Sequence, residues 1–377
     1  MLILAAIVAF FLYGMIAAML GTILPELSDR FHLSPSQNGT IAFAQALGLI
    51  IASVAVGPLL DHEGKKIGIV LGLGLISVAL FALPRSASFR SIVTLLFVLG
   101  IGSGILVTAA NSLVSDVSET HRGSALNLVN LFFGLGALAT PFIAANLFKR
   151  NWVRLCYTIA ALTVVTFAIE AVTHMPAPSG TGRFMFSETS SVLSQPLLLL
   201  IGLFLFLYIT CEVGVWNWLV QHLIAQGVPR ARALNILSLG FALGLLIGRA
   251  AILPVLIHVP AITVTLTGSI AMAVTTFLML RMKNAFMAAA LVFLAGLSMA
   301  PVFPTTLAIV GDAFPHASGT AIGFVITCGW VGLAVTSRII GAIAGGDPLR
   351  LKKALLVIPA SAVLMVGLDL AIRNMLP

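Results

Sequence analysis

Residues 1–24 read MLILAAIVAFFLYGMIAAMLGTIL, a run that contains no charged residue. A helix needs about 20 apolar residues to cross the hydrocarbon layer of a bilayer, so this run is long enough to span it. The whole chain has the same character, because 60% of its 377 residues are hydrophobic and only 8% are charged. Soluble domains carry about 25% charged residues. We predict an integral membrane protein, and we interpret residues 1–24 as a membrane helix, not a signal peptide, because no basic segment precedes the apolar run.

Charged residues, prolines, glycines and turn residues break the chain into twelve apolar segments. A strand of a membrane β-barrel needs only about 9–11 residues, so the greater length of these segments favours packed helices. The 34 glycines are also typical of helices that pack closely in a membrane. We therefore predict an all-α membrane protein with twelve transmembrane helices, at residues 1–25, 36–60, 66–84, 91–115, 122–148, 152–174, 196–224, 231–256, 261–281, 285–311, 317–344 and 351–375.

One polar stretch, PAPSGTGRFMFSETSSVLSQ at residues 176–195, is much longer than the other connections. Its content of proline, glycine and serine is typical of a linker. It leaves six apolar segments on each side. We predict an N-terminal six-helix bundle at residues 1–175, a cytoplasmic linker at 176–195 and a C-terminal six-helix bundle at 196–377.

The two halves also align with each other as an internal repeat. Shifting the sequence by 196 positions, without gaps, pairs glycine, proline, aspartate, threonine and arginine residues that apolar composition alone would not match. The pairs are Gly48 with Gly244, Pro58 with Pro254, Gly100 with Gly296, Asp116 with Asp312, Gly123 with Gly319, Gly136 with Gly332, Thr140 with Thr336 and Arg154 with Arg350. This pattern predicts two related six-helix halves.

The connection between the second and third segments reads GPLLDHEGKK, residues 57–66. Gly57 and Gly64 would let helix ends approach closely. The carboxylate of Asp61, beside helix N-termini and the basic groups of Lys65 and Lys66, is suited to hold one end of a bundle closed. A tight loop with solvated charges is the alternative interpretation.

This stretch resembles the G-x-x-x-D-R-x-G-R-K signature of the major facilitator superfamily, with His62 and Lys65 as departures. ETHRGSALN at residues 119–127 and DAFPHASGTAIGF at residues 312–324 are similar to later connections of the same superfamily. The resemblance implies two parallel repeats around a substrate site near the middle of the membrane. It also implies a gate on the cytoplasmic side, to which we assign Gly57, Asp61, Gly64, Lys65, Lys66, Asp116 and Arg122.

Within the superfamily, four segments resemble the fucose/galactose/glucose proton symporter family: TAAN at 108–111, LNLVNLFFG at 126–134, YITCEVGVWNW at 208–218 and APVFPT at 300–305. That family carries acidic residues in its first and fourth helices for proton coupling. The corresponding positions in this sequence are Gly21 and Val107. A proton-coupled transporter with this sequence therefore needs its acid elsewhere.

Glu212 is the candidate for that acid, because it lies near the middle of the seventh apolar segment. A carboxylate at this depth costs about 2.5–3.5 kcal/mol on insertion scales, so it should face a wet cavity and exchange protons. The alternative is a glutamate that is permanently hydrogen-bonded to a neighbouring helix.

Amide, hydroxyl and indole side chains in the helices expected to line the cavity form the candidate substrate site. Amides both donate and accept hydrogen bonds, and flat aromatic faces stack on the C–H faces of a sugar. Each such residue could instead hold two helices together. The set consists of Gln45, Thr108, Asn111, Asn127, Asn130, Trp216, Asn217 and Trp330.

Together these features predict a secondary transporter that moves a small neutral solute, such as a monosaccharide, by alternating access with proton coupling through Glu212. Uncoupled sugar facilitation and proton-driven efflux of amphipathic compounds are the alternatives. The efflux alternative draws on GLGALATPFIAA at residues 134–145, which is faintly similar to an antiporter motif. We expect no enzymatic activity, cofactor, metal site or nucleic-acid partner. The expected partners are the substrate, protons and the lipid bilayer, and the expected state is a monomer.

The resemblance implies that residues 57–66 lie on the cytoplasmic side, so we expect both chain termini in the cytoplasm and the protein in the inner (plasma) membrane. The basic residues disagree with this orientation. Thirteen of the 20 lysines and arginines would lie outside and five inside. Membrane proteins normally carry the excess of Lys and Arg on the cytoplasmic side.

Overall fold

The computed structural model describes residues 2–148, 151–176, 186–282, 284–344 and 348–376. These parts of the chain are almost entirely helical and contain no strand. Within them, twelve helical segments are long and apolar enough to cross a membrane, which confirms the predicted fold class. In chain order these spans are Leu2–Phe31, Ser36–Glu63, Lys65–Arg85, Phe89–Val117, Arg122–Leu147, Trp152–Val172, Pro196–Ala225, Arg232–His258, Ala261–Arg281, Phe286–Ala313, Pro315–Ala344 and Arg350–Arg373.

Several spans are built from more than one helical piece. The fifth span ends in a π-helical turn, and the eighth contains another. The tenth, eleventh and twelfth spans also join shorter pieces, and a further short helix lies in the predicted linker. The pieces are Arg122–Phe142 with Ile143–Leu147, Arg230–Asn235 with Ile236–Ala242 and Leu243–His258, Ala285–Met299 with Val302–Ala313, Pro315–Ala317 with Ser318–Ala344, Pro348–Ala354 with Val357–Arg373, and Phe186–Leu193. Residues 177–185 of the predicted linker lie outside the described residues.

The first span differs most from its predicted bounds, because the helix continues to Phe31 although its apolar run ends at residue 24. The prediction used the first proline and charges as the end of the segment. Charged residues end the part of a helix that suits lipid, but they do not end the helix. Glu26, the first residue after the predicted end, therefore lies inside the helix.

Side-chain caps fix where several spans begin. Ser34 accepts a hydrogen bond from the backbone N–H of Gln37 at 3.3 Å, and the Gln37 side chain accepts one from the N–H of Ser34 at 2.8 Å. This is a capping box, which satisfies two N–H groups that the helix itself cannot. Ser88 and Ser91 repeat the arrangement at the start of the fourth span.

Two compact units make up the chain. The first comprises Met1–Leu193 and Phe314–Thr327, and the second comprises Ser194–Ala313 and Cys328–Pro377. In the first unit the second span packs closely on the fourth, the first on the fifth, and the third on the fourth and sixth. In the second unit the eighth span packs on the tenth, and the ninth on the tenth and twelfth. The pairs second–fourth, third–fourth and third–sixth in the first unit thus recur as eighth–tenth, ninth–tenth and ninth–twelfth in the second.

Glycines mark the same contact in both units. A Cβ atom on Gly100 would overlap the carbonyl oxygen of Gln45, and one on Gly296 would overlap that of Phe241. Both glycines and both facing residues are separated by the 196 positions of the sequence repeat. Small residues let membrane helices approach backbone to backbone. The repeat in the sequence therefore corresponds to a repeated helix contact.

Candidate functional site

The Asp61 carboxylate lies buried against the first turn of the helix Ser318–Ala344, within the first unit. Its Oδ1 accepts the backbone N–H of Gly319 at 2.8 Å. Its Oδ2 accepts the N–H of Thr320 at 2.8 Å and the Thr320 hydroxyl at 2.7 Å. The first N–H groups of a helix have no partner within the helix and carry partial positive charge. Asp61 thus binds a helix N-terminus as an anion would.

Lys65 links Asp61 to a second carboxylate. Its Nζ lies 3.5 Å from Asp61 Oδ1 and 2.9 Å from Asp116 Oδ2. The Lys65 side chain is 6% exposed, while that of Asp116 is 22% exposed. Because Lys65 is buried, its charge requires such partners. The second, third and fourth spans are therefore joined at one end by ionic contacts.

Close backbone packing surrounds this ionic cluster. A Cβ on Gly57 would lie 2.7 Å from the Gly319 carbonyl oxygen, and one on Gly319 would lie 2.7 Å from Asp61 Oδ1. Ser112 and Ser318 contribute a hydroxyl–hydroxyl contact of 3.0 Å. A larger side chain at either glycine would move the helix N-terminus away from the carboxylate.

The other residues assigned to the gate lie near the same end of the first unit. Gly64 has φ 88°, in the left-handed region where glycine is favoured, and it forms the turn between the second and third spans. Arg122 Nε donates to the carbonyl oxygen of Ser115 at 2.7 Å and so joins the fourth and fifth spans. Lys66 interacts electrostatically with Glu170 of the sixth span instead of joining the Asp61 cluster.

Sequence reasoning missed Thr320 as a partner of Asp61. The segment 312–324 resembles a connection of the superfamily, and the repeat pairs Gly123 with Gly319. Neither pattern predicts which helix N-terminus Asp61 binds. That contact depends on how Asp61 packs against Gly319, which lies 258 positions away in the sequence.

The polar residues predicted for the substrate site in the first unit are mostly buried. The amide nitrogens of Asn111, Asn127 and Asn130 each donate to a carbonyl oxygen four residues earlier in their own helix, at 2.8–2.9 Å. Among the described residues, the Thr108 hydroxyl and the Asn111 side-chain oxygen are buried and have no hydrogen-bond partner. Gln45 lies half-buried on the second span. Thr108 and Asn111, three residues apart, share one helix face.

In the second unit, Glu212 lies half-buried on the seventh span, one helical turn after Tyr208. Tyr208 is fully buried, donates its hydroxyl to the carbonyl oxygen of Met299 at 3.0 Å, and lies within hydrogen-bonding reach of the Glu212 side chain. Arg249 of the eighth span is 7% exposed and acts electrostatically on the same tyrosine. The structure thus brings an acid, a phenol and a guanidinium into one cluster.

The aromatic residues predicted for the second unit differ in their surroundings. Trp216 is 38% exposed, and its ring meets that of Phe241 edge-on with centroids 5.2 Å apart. Asn217 is exposed, and Trp330 is half-buried. Within the described residues, the Trp330 indole N–H is buried without a hydrogen-bond partner. These residues remain candidates for the substrate site.

The family model of the Major Facilitator Superfamily matches residues 6–337. The chain belongs to the Major Facilitator Superfamily. Membership confirms the resemblance inferred from residues 57–66, and with the twelve spans it identifies a multi-pass membrane protein of a transporter family, which is not a family of enzymes.

Relatives within the superfamily are distant. The glucose/mannose transporter of Bacillus subtilis is 25% identical over 97% of this chain and 93% of its own length. Bypass of stop codon protein 6 of Saccharomyces cerevisiae is 24% identical over 66% of this chain, and the match spans only about half, 55%, of the yeast protein.

A solved superfamily structure shows the same fold. The crystal structure of the E. coli fucose:proton symporter has a TM-score of 0.86, with 18% sequence identity, and the match covers 98% of both chains. At this identity the likeness establishes the fold alone.

Proposed function

We propose that this protein is a secondary transporter that moves a monosaccharide or a similar small neutral solute across the inner membrane by alternating access. The observation that carries the proposal is the match to the B. subtilis glucose/mannose transporter along 97% of the chain. The fold shared with a fucose:proton symporter supports it. The coupling ion in the proposal is the proton.

The polar face of the fourth span supports a sugar as substrate. Thr108 and Asn111 present buried oxygen atoms that have no hydrogen-bond partner among the described residues. An oxygen buried without a partner costs free energy, and a ligand hydroxyl that donates to it removes that cost. Sugars carry several such hydroxyl groups. The site, in this proposal, also uses the amides of Asn127 and Asn130.

Glu212 is the proposed proton carrier. Its neighbours Tyr208 and Arg249 are buried, whereas Glu212 itself is half-buried. A carboxylate that is only partly buried is suited to take up and release a proton during transport. Tyr208 and Arg249 are polar groups beside it, so the carboxylate does not lie in a wholly apolar part of the membrane.

The Asp61 cluster is the proposed gate at the cytoplasmic end. When the helix N-terminus formed by Gly319 and Thr320 leaves Asp61, two backbone N–H groups lose their acceptor together, and the carboxylate keeps Lys65 as its partner. Such a cluster has two discrete states, bound and released, as a gate requires.

Uptake into proteoliposomes tests the proposal. We expect the wild-type protein to accumulate one member of a panel of labelled monosaccharides above equilibrium when an inward proton gradient is applied. We expect Glu212→Gln to abolish accumulation while sparing exchange of the sugar, because the amide cannot carry a proton. The matched control is Glu119→Gln, at an exposed glutamate in the connection between the fourth and fifth spans.

Three results would overturn parts of this proposal. Concentrative uptake by Glu212→Gln would remove the proton role of Glu212. Equilibration without accumulation in the wild type would make the protein a facilitator. Absence of transport for every sugar, with extrusion of an amphipathic dye, would replace import by efflux.

Thiol labelling tests the proposed orientation. Ala87 and His121 are both exposed; Ala87 lies just before the fourth span and His121 just after it. In a variant whose three native cysteines are replaced, an impermeant maleimide should label Ala87→Cys in intact cells. It should label His121→Cys only in inside-out vesicles. The reverse result would place both termini outside, as the distribution of basic residues favours.

A further inference from the structure

A cavity of about 210 Å³ lies in the first unit, where the first and fifth spans end and the sixth begins. This is the end of the bundle opposite Asp61, since the first span runs away from that end and the second returns to it. Neither the proposed sugar site nor the Asp61 cluster uses the lining residues. They are Thr22, Ile23, Pro25, Glu26, Pro141, Ala144, Ala145, Trp152 and Leu155.

Glu26 provides the charge in this cavity. One of its carboxylate oxygens, Oε2, is buried and has no hydrogen-bond partner among the described residues. A carboxylate oxygen shielded from water and left without a donor is costly. A ligand that carries both positive charge and N–H groups would remove this cost.

The remaining lining offers few hydrogen-bond donors. The Thr22 hydroxyl donates to the carbonyl oxygen of Ala18 at 2.8 Å, so its proton is already used. Pro25 and Pro141 have no backbone N–H. The other residues are apolar, apart from the indole of Trp152. The cavity therefore combines acceptors with an aromatic wall, which suits a cation and disfavours an anion.

The guanidinium of Arg30 lies beside this cavity but is not part of its lining. The guanidinium carbon of Arg30 lies 5.4 Å from the centroid of the Trp152 ring and 5.4 Å from that of Phe31. Arg30 is thus held over aromatic rings instead of filling the cavity. Among the lining residues, Glu26 is therefore the charged one.

The cavity opens where lipid is expected. Pro25, Pro141 and Ala145 are exposed, and Phe142 and Leu147 beside them are 63% and 64% exposed. Large apolar side chains exposed on a membrane span face acyl chains. The volume exceeds the roughly 30 Å³ that one water molecule occupies in the liquid, so it has room for a group of several heavy atoms.

We propose that this cavity binds an ammonium group, with Glu26 as its counter-ion and Trp152 as its aromatic wall. The ammonium group belongs either to the headgroup of an aminophospholipid in the surrounding membrane or to a small amine dissolved in water. The exposed apolar rim favours the lipid source.

Native mass spectrometry of the detergent-purified full-length protein tests the proposal with two probes, dioleoylphosphatidylethanolamine and free ethanolamine. Dioleoylphosphatidylglycerol is the matched lipid without an ammonium group. We expect phosphatidylethanolamine to bind on the order of tenfold more tightly to the wild type than to Glu26→Gln, because a hydrogen bond to a charged group is lost. Glu119→Gln should bind like the wild type.

A second variant keeps the test informative if Glu26→Gln folds poorly. Glu26→Asp retains the charge on a shorter side chain and should bind with intermediate affinity. Preference for phosphatidylethanolamine identifies the lipid source, and binding of ethanolamine alone identifies the soluble one. Two results would overturn the proposal. The first is equal binding of both lipids with no binding of ethanolamine, and the second is equal affinity of the wild type and Glu26→Gln for phosphatidylethanolamine.

Discussion

Gly100→Ala and Gly296→Ala should both sharply reduce the yield of folded protein, although alanine is the better helix former. The new Cβ atoms would overlap the carbonyl oxygens of Gln45 and Phe241. Backbone atoms cannot turn aside as a flexible side chain can, so the two helices must separate. Overpacking of this kind costs about 1–3 kcal/mol, and more when backbone must move. Thermal unfolding in detergent, followed by size-exclusion chromatography, measures the loss.

The matched control is Gly21→Ala on the first span, where a Cβ would meet no atom within 4 Å. The Gly21→Ala substitution should leave the free energy of unfolding unchanged or raise it by up to about 1 kcal/mol. This is the difference in helix propensity between glycine and alanine. If Gly100→Ala and Gly21→Ala unfold at the same temperature, then close helix contact is not what Gly100 provides. If Gly100→Ala is destabilised and Gly296→Ala is not, the two halves do not share this contact.

These glycines also show why the fold was predictable from sequence. The apolar runs fixed the number of spans because each must exceed a set length in lipid. The repeat paired Gly48 with Gly244 and Gly100 with Gly296 because the same close contact is needed in each unit. The predicted end of the first span was wrong because Glu26 interrupts the apolar run without ending the helix, which continues to Phe31.

The site was less predictable for a physical reason. The sequence motif identified Asp61. Its hydrogen-bond donors, however, are the backbone N–H groups of Gly319 and Thr320, and every residue except proline has such a group. Their identity depends on the packing of distant helices and leaves no residue-type signal. Likewise, the unpartnered oxygen of Glu26 is a property of its surroundings. The roles assigned to Glu212 and to the amides stay predictions.

Asp61→Asn should release the N-terminus of the helix Ser318–Ala344. The carboxylate accepts three hydrogen bonds from Gly319 and Thr320, two of them from backbone N–H groups. An asparagine keeps one acceptor oxygen and turns an NH₂ group toward one of these donors. It also loses the negative charge at the positive end of the helix dipole. Hydrogen bonds to charged groups contribute about 1.5–3 kcal/mol each, so the expected loss is about 3 kcal/mol.

Such a loss corresponds to a shift of roughly 100-fold in the ratio of bound to released states, since about 1.4 kcal/mol is a factor of ten. Ser112 reports the shift, because its side chain is fully buried against Ser318 at 3.0 Å. In a variant without native cysteines, Ser112→Cys should react with a small maleimide far faster when Asp61→Asn is added. The control is Glu63→Gln, at an exposed carboxylate two residues away on the same helix. Equal labelling rates with and without Asp61→Asn would show that Asp61 does not hold this end of the unit closed.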